Sequence, residues 1–389
     1  MSNRRKAATG RAATATNQSS LPRRGLIMLL SVLSGMALLF IVLLFFAPGV
    51  FTSFMPGSAQ SQAGVYSPDG RISFVRSSET ANTRDLYVVN SDGTQQQRIT
   101  QDMSVQGTTS WSPDGKSILI QATMGKIDRV VRITVGPNNK ATETVPLTGD
   151  QVDSVLPAWS PDGTLISYQS KEKSADYQVF VMNADGSNKH RVTAGKGYRG
   201  QAQWSPDGKT LVYVGGDTSD PATAKELYLL PAAGGAEKAI TNMGKNLSHP
   251  TWSPDGKSIL FMQGIGQQDQ AILLVGTDGS APKTIVESGP NSSPQFSPQG
   301  DKIVFYAVPN TGSDVFVVPV TGGQPIDLTT LSAEDYIPTW SPDGKKIVWS
   351  GKRGTQQRIV VAAADGSGQV AISSGDGYDY QPVWGRPVK

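Results

Sequence analysis

The sequence of 389 residues contains no cysteine. Its fold therefore depends on no disulfide bond, and thiol nucleophiles, thiolate metal sites and lipid attachment through cysteine are excluded. Histidine is nearly absent too, and His190 and His249 do not form a metal-binding motif. No Gly-x-Ser-x-Gly motif of a serine hydrolase occurs. We therefore expect no metal, no cofactor and no catalytic residues, and a protein that is not an enzyme.

Acidic residues are missing from the first 25 positions, which carry six cations: Arg4, Arg5, Lys6, Arg11, Arg23 and Arg24. The net charge of the whole chain is +3. The rest of the chain is therefore slightly acidic, and nothing in it indicates a nucleic-acid-binding surface. The basic residues 1–25 are more typical of a cytoplasmic tail beside a membrane.

A run of 22 residues without a charge follows, from Leu26 to Ala47. This length is sufficient for a helix that spans a bilayer, and the next cationic residue is Arg71. The asymmetry predicts a single-pass protein of the cell membrane, with residues 1–25 in the cytoplasm, 26–47 as transmembrane helix, 48–63 as linker and the remainder extracytoplasmic. The alternative is a cleaved signal peptide, with small residues that a peptidase could use at Gly57, Ala59, Ser61 and Ala63.

The remainder is a repeat array marked by an aromatic residue followed by Ser-Pro-Asp-Gly. The aromatic recurs at intervals of 44 to 48 residues, at Tyr66, Trp111, Trp159, Trp204, Trp252, Phe296, Trp340 and, in a shortened copy, Trp384. Phe296 begins the variant Ser-Pro-Gln-Gly. A period of this length with strand-like flanks is typical of the blades of a β-propeller.

Each repeat predicts four antiparallel strands. Proline, aspartate and glycine favour a tight turn after the aromatic, and most repeats carry another Asp-Gly turn before a short strand that ends in threonine. Seven such units predict an all-β, seven-bladed propeller over residues 64–389, stabilised by packing between blades. Because an eighth copy of the innermost strand precedes Trp384, we expect residues 382–384 to pack beside the first blade and close the ring.

These repeats resemble those of TolB-like propellers, whose signature is Pro-x-Trp-Ser-Pro-Asp-Gly-Lys. Residues 250–257 and 338–345 match it closely. The resemblance covers residues 64–389 and implies the propeller fold, with roles in scaffolding, partner binding or the gating of an attached peptidase. TolB itself has an additional N-terminal α/β domain, and the short linker 48–63 indicates a membrane-anchored member without it. The sequence also contains no hydrolase domain after Trp384.

Recognition is expected in the segments that join one blade to the next, because they differ while the framework repeats. They are 101–109, 149–156, 195–201, 242–249, 287–293, 332–337 and 374–381, and we expect them to ring one mouth of the central channel. The candidate partner-binding residues in them are Tyr198, Arg199, Asp335, Tyr336, Asp376, Tyr378, Asp379 and Tyr380. Tyrosine beside acid suits basic or sugar groups of a partner. The alternative is that these segments are ordinary solvated loops.

Three functions remain open on this evidence. The first is a membrane-anchored extracytoplasmic scaffold that binds a protein or peptide. The second is a carbohydrate or cell-wall binder, and the third is a hydrolase or lyase with acidic residues at the channel. The third is the weakest, since no paired catalytic residues can be named, and the fold alone does not choose among the three.

Overall fold

The computed structural model describes residues 70–78, 83–172, 174–217, 223–264, 269–308, 312–329 and 334–388. These residues form seven four-stranded antiparallel sheets, which confirms the predicted all-β, seven-bladed propeller. Within these ranges no helix is long and apolar enough to cross a membrane. The predicted tail, transmembrane helix and linker, residues 1–63, lie outside the described residues.

The blades are numbered I to VII in chain order. Blade I contains β1 (Arg71–Ser77), β2 (Arg84–Asn90), β3 (Gln97–Arg98) and, from the far end of the chain, β28 (Tyr378–Trp384). Blade II contains β4 (Ser104–Trp111), β5 (Ser117–Met124), β6 (Ile127–Val135) and β7 (Ala141–Pro146). Blade III contains β8 (Ser154–Trp159), β9 (Leu165–Ser170), β10 (Gln178–Asn183) and β11 (His190–Arg191). A short 3-10 helix, Pro137–Asn139, lies between β6 and β7.

The remaining blades repeat the same order from the innermost to the outermost strand. Blade IV contains β12 (Arg199–Trp204), β13 (Thr210–Gly215), β14 (Glu226–Pro231) and β15 (Lys238–Ala239). Blade V contains β16 (Leu247–Trp252), β17 (Ser258–Gly264), β18 (Gln270–Gly276) and β19 (Lys283–Gly289). Blade VI contains β20 (Asn291–Phe296), β21 (Lys302–Ala307), β22 (Asp314–Pro319) and β23 (Ile326–Asp327). Blade VII contains β24 (Asp335–Trp340), β25 (Lys346–Arg353), β26 (Gln356–Ala363) and β27 (Val370–Ala371).

From blade II onward, the Ser-Pro-Asp-Gly segments and the Ser-Pro-Gln-Gly variant form the turns between the first and second strands. In blade II the Ser112 hydroxyl lies 2.6 Å from Asp114 Oδ1, and that carboxylate accepts the backbone N–H of Lys116 at 3.0 Å. Gly115 takes a φ of 70°, which glycine adopts without strain. Where Gln299 replaces the aspartate, Asp301 accepts the hydrogen bond from Ser297 instead, at 2.8 Å. These aspartates are turn residues, as the sequence indicated.

The threonine after the outermost strand ties that strand to the third. In blade I the Leu86 N–H donates to Thr100 Oγ1 at 2.9 Å, and in blade IV the Leu227 N–H donates to Thr241 Oγ1 at 2.9 Å. In blade VII the hydroxyl of Ser373 takes the same position and accepts from Ile359 N–H. This side-chain hydrogen bond adds to the backbone hydrogen bonds between the short outermost strand and the third strand.

The core lies between neighbouring blades rather than within one. Val75 and Leu86 of blade I pack with Ile118, Ile120 and Val131 of blade II, and all five side chains are buried. Similar clusters join the other pairs of neighbours, such as blades IV and V. Because each four-stranded sheet buries its faces only against the next sheet, stability requires the whole ring.

The ring is closed in blade I by the last described strand. β28 takes the innermost place and pairs antiparallel with β1, with Ile72 opposite Trp384 and Ser73 opposite Val383. The prediction that residues 382–384 pack beside the first blade is confirmed. The competing copy of this strand, at 64–66, lies outside the described residues.

The innermost strands begin earlier than the sequence indicated. Each has a register shift before its aromatic and a residue with positive φ there: Gly107, Leu156, Gln201, His249, Ser293, Ile337 and Gln381. Beyond this bulge the pairing resumes, so that Asp335 lies opposite Gly351. The predicted connecting loops, such as 332–337 and 374–381, are wrong in their last residues, which are strand.

Candidate functional site

A cavity of about 580 Å³ lies at the end of the propeller opposite the Ser-Pro-Asp-Gly turns. We call it the tyrosine cavity. Blade VI contributes one residue from β21, blade VII contributes the start of β24 and the β25–β26 hairpin, and blade I contributes the start of β28. Its lining residues are Tyr306, Glu334, Tyr336, Ile337, Lys352, Thr355, Gln357, Tyr378 and Tyr380.

Two pairs of tyrosine rings form the aromatic part of this cavity. Tyr306 and Tyr336 meet edge to face, with centroids 5.6 Å apart and planes at 83°. Tyr378 and Tyr380 lie 6.4 Å apart with planes at 27°. Burial raises the pKa of Tyr380, so its hydroxyl stays protonated at neutral pH and can both donate and accept. Aromatic walls with hydroxyl groups at their edges are typical of recognition surfaces.

The charged part of the cavity is an ion pair between Glu334 and Lys352. Lys352 Nζ lies 2.7 Å from Glu334 Oε1, and this hydrogen bond raises the pKa of the lysine. Both side chains are nearly half exposed, at 43% for Lys352 and 46% for Glu334. Their backbones are held more firmly, since Gln357 donates its side-chain amide to the Glu334 carbonyl at 2.6 Å. The pair is therefore accessible to solvent, while the backbone of Glu334 is fixed.

Asp379 is buried, and the expectation that it lies exposed on the loop face is wrong. Its carboxylate accepts from Arg76 Nε at 2.6 Å and from Arg76 Nη2 at 2.8 Å. Ser373 donates to it at 2.6 Å, and Arg358 lies 3.7 Å away. The side chain is fully buried because it is the first inward position of the closing strand, between β1 and β26. It joins blade VII to blade I and is closed to a partner.

Asp335 occupies the same register position in blade VII and is buried as well, so the expected exposure is again wrong. Trp349 Nε1–H donates to its Oδ1 at 2.9 Å, and Arg353 lies 3.6 Å away. Burial raises the pKa of Asp335 from 3.8 to about 6, against the opposing effects of the tryptophan and the arginine. The residue is not among those that line the tyrosine cavity.

The other predicted residues lie apart from this cavity. Tyr198 and Arg199 belong to blade IV, where the Tyr198 hydroxyl lies 3.4 Å from Gln169 Oε1 and burial raises the tyrosine pKa to about 12. Arg199 lies 3.7 Å from Glu237. Asp376 is exposed. The structure therefore brings Tyr336, Tyr378 and Tyr380 together and separates the rest.

Sequence reasoning missed Tyr306, Glu334 and Lys352. It considered only the segments between blades, whereas Tyr306 and Lys352 lie on the second strands of blades VI and VII. The signal was available, because in a four-stranded meander the hairpin between the second and third strands points to the same face as the connection between blades. The conspicuous residues of that hairpin, Lys352 and Thr355, could have been included on this ground.

Five of the repeated aromatics line a cavity of about 940 Å³ at the opposite mouth: Trp204, Trp252, Phe296, Trp340 and Trp384. Trp204, Trp340 and Trp384 are nevertheless buried, and Trp204 Nε1–H donates to the Ala158 carbonyl of the preceding blade at 3.2 Å. Trp252 Nε1–H donates in the same way to the Gln203 carbonyl at 3.0 Å. The burial of Trp204, Trp340 and Trp384 agrees with the interpretation of these residues as core. Within the described residues, no group of three or more histidine, aspartate or glutamate side chains is arranged to hold a metal ion.

Residues 133–289 and 283–387 match the protein-family model of the TolB beta propeller domain, which together is more than half of the chain. The chain belongs to the TolB β-propeller family.

Curated relatives of this TolB-family chain match only parts of it. It is 26% identical over 176 residues to the uncharacterized peptidase YuxL of Bacillus subtilis, covering 45% of this chain and 25% of that protein. It is 28% identical over 138 residues to the TolB homolog of Chlorobium chlorochromatii, covering 35% and 30%. The matches thus span less than a third of either relative. Among solved structures, oligogalacturonate lyase from Vibrio parahaemolyticus is similar at a TM-score of 0.61 and 14% identity, over 77% of this chain and 88% of that one. This last likeness shows the fold alone.

Proposed function

We propose that this TolB-family propeller is a membrane-anchored extracytoplasmic module that binds a segment of a partner protein in the tyrosine cavity. The observation that carries the proposal is that three successive blades contribute aromatic side chains to one concave site of about 580 Å³. A concave aromatic site with a few polar groups, on a rigid frame, is the usual form of a binding hot spot.

A binding role is favoured over a catalytic one by the acids present. Glu334 is the one carboxylate among the residues that line the tyrosine cavity, and it is paired with Lys352. Glycoside hydrolysis, for example, uses two carboxyl groups on either side of the reacting bond. The neighbouring Asp335 and Asp379 are buried and bonded to their own partners, so they add no second exposed acid.

The proposal is tested by crosslinking in membranes followed by mass spectrometry of the captured proteins. The double variant Tyr336→Ser with Tyr380→Ser should lose the partner that the parent captures. The matched control is Tyr177→Ser, which removes a partly exposed tyrosine from blade III, outside the cavity. Thermal melts of all variants check that the propeller is intact.

A second variant covers the case in which the tyrosine substitutions weaken the closing strand. Thr355→Trp adds bulk at an exposed position of the cavity rim and removes no buried contact. It should block capture while leaving the melting temperature within about 2 °C of the parent. Undiminished capture by both folded variants would show that the tyrosine cavity is not the binding site.

Carbohydrate binding is the second candidate, and the same lining supports it. The hydroxyls of the tyrosines, the Glu334 carboxylate and the exposed Thr355 hydroxyl could all bond to sugar hydroxyls, while the rings offer flat apolar faces. A glycan array probed with the parent and with Thr355→Trp separates the two candidates. If the parent binds a saccharide, Thr355→Trp does not, and no protein is captured, the result would favour carbohydrate binding.

A further inference from the structure

The tyrosine cavity contains a cationic side chain of the protein itself, that of Lys352. Its ammonium group bonds Glu334 Oε1 at 2.7 Å, and Tyr336 and Tyr378 line the same cavity. We propose that the cavity takes a lysine or arginine side chain of the partner, and that Lys352 holds this place until the partner arrives. The inference rests on the proposed binding function and adds the chemistry of the ligand.

The surroundings of the pair favour a cation as ligand. Glu334 and the tyrosine hydroxyls offer acceptor oxygens, and a lysine or arginine side chain carries only donors. Three nearby arginines are bound elsewhere. Arg76 donates two hydrogen bonds to Asp379, and Arg84 donates to Gln106 Oε1 at 3.1 Å. Arg353 lies 3.6 Å from Asp335 and donates to the Lys352 carbonyl. Glu334 is thus the acceptor whose present partner can be exchanged.

Lys352 can leave without disturbing the fold. Its backbone N–H donates to the Glu334 carbonyl at 3.2 Å, so the strand stays in place when the side chain moves. The pair is roughly half exposed, and an exposed ion pair is weak because water and salt screen it. An incoming ammonium or guanidinium group that also contacts the tyrosine rings can therefore displace it.

Lys352 and the basic side chain of the partner compete for the carboxylate of Glu334, so the effect of removing Lys352 on ligand affinity distinguishes competition from direct contact. Removal of Lys352 should strengthen the binding of a basic ligand, whereas the loss of a residue that contacts the ligand would weaken it. From the strength of an exposed pair we expect an affinity gain of about twofold to fivefold. Glu334→Gln should instead weaken binding, because it removes the charge that both cations share.

The experiment uses the full chain in detergent and an acetylated, amidated peptide that contains two lysines between glycines, with calorimetry as readout. The comparison peptide has norleucine at both lysine positions, which keeps the length and removes the charge. The variants are Lys352→Met and Glu334→Gln. The matched control is Lys345→Met, which removes the cation of another exposed pair, 3.8 Å from Asp343 and far from the cavity.

The expected result is tighter binding of the lysine peptide to Lys352→Met, weaker binding to Glu334→Gln, and no change for Lys345→Met. Equal binding of the norleucine peptide, or unchanged or weaker binding to folded Lys352→Met, overturns the inference. The two proposals fail separately. If crosslinked capture depends on the tyrosines but not on Lys352 or Glu334, the binding site stands and its cationic ligand does not.

Discussion

Asp379 and Asp335 hold the same register position in successive innermost strands, yet their surroundings differ. Asp379 accepts two hydrogen bonds from one arginine and a third from Ser373. Asp335 accepts one from an indole and lies 3.6 Å from its arginine. A buried carboxylate is tolerated where donors replace the lost water, and otherwise its charged form is disfavoured.

The Asp379→Ala variant should be strongly destabilised. The substitution leaves Arg76 buried without its acceptor, and the loss of one partner of a buried pair costs about 3–5 kcal/mol. Urea unfolding measures the difference. The control is Asp376→Ala, which removes an exposed carboxylate three residues earlier and should stay within about 0.5 kcal/mol of the parent. Equal stability of the two variants would contradict the structural role of Asp379.

The Asp335→Asn variant should change how stability depends on pH. Because burial raises the folded pKa of Asp335 from 3.8 to about 6, the folded state binds the proton more tightly than the unfolded state. The stability that protonated Asp335 contributes is therefore fully present below about pH 4 and is lost as the pH rises through about 6. Above that pH, Asp335 causes no further change in stability. The loss is on the order of 3 kcal/mol. Urea midpoints at pH 4, 5, 6 and 7 should fall less for Asp335→Asn than for the parent; parallel curves would refute the shifted pKa.

At the scale of elements, β28 carries more of the architecture than any outer strand. It completes blade I, contributes the buried Trp384 to the core, and places Asp379 against Arg76. It also supplies Tyr378 and Tyr380 to the tyrosine cavity. Ring closure and the candidate site therefore depend on the same strand.

Deletion of residues 380–389 should lower the melting temperature by about 10 °C or more, because blade I loses most of its innermost strand. A chain that ends at Pro387 keeps β28 intact and serves as the control, which should melt within about 2 °C of the parent. Differential scanning calorimetry measures both. A full-height transition at the parent temperature in the longer deletion would show that another segment, such as 64–66, can take the place of β28.

At the scale of the whole molecule, the proposed anchor decides where the tyrosine cavity operates. The basic residues 1–25 and the uncharged run 26–47 favour insertion with the N-terminus in the cytoplasm. The propeller would then face outward, and a partner would have to reach it from outside or along the membrane surface. This topology is a proposal that rests on the sequence.

Protease added to intact spheroplasts should digest the propeller and spare an epitope tag attached at Met1. The reason is that cations on the cytoplasmic side of an apolar helix fix its orientation. Spheroplasts lysed before digestion provide the control, since the tag should then be lost as well. Recovery from the medium of a processed chain that begins near residue 60 would instead support cleavage as a signal peptide.

The sequence by itself determined the architecture. The spacing of the Ser-Pro-Asp-Gly turns, the apolar strands between them and the extra strand before Trp384 predicted seven blades and their closure, because these are local or repeating signals. It also indicated three of the tyrosines that meet in the cavity, since the repeat register places Tyr336 and Tyr380 at equivalent positions of neighbouring blades.

Only the tertiary structure decided which polar residues are accessible. Asp335 and Asp379 look like loop residues in the sequence, but the pairing beyond each bulge turns them inward, where Trp349 and Arg76 meet them from other strands. The tyrosine cavity likewise needs Tyr306, Glu334 and Lys352 from separate strands and turns. Burial and charge pairing depend on contacts between residues far apart in the chain, which a repeat pattern does not encode.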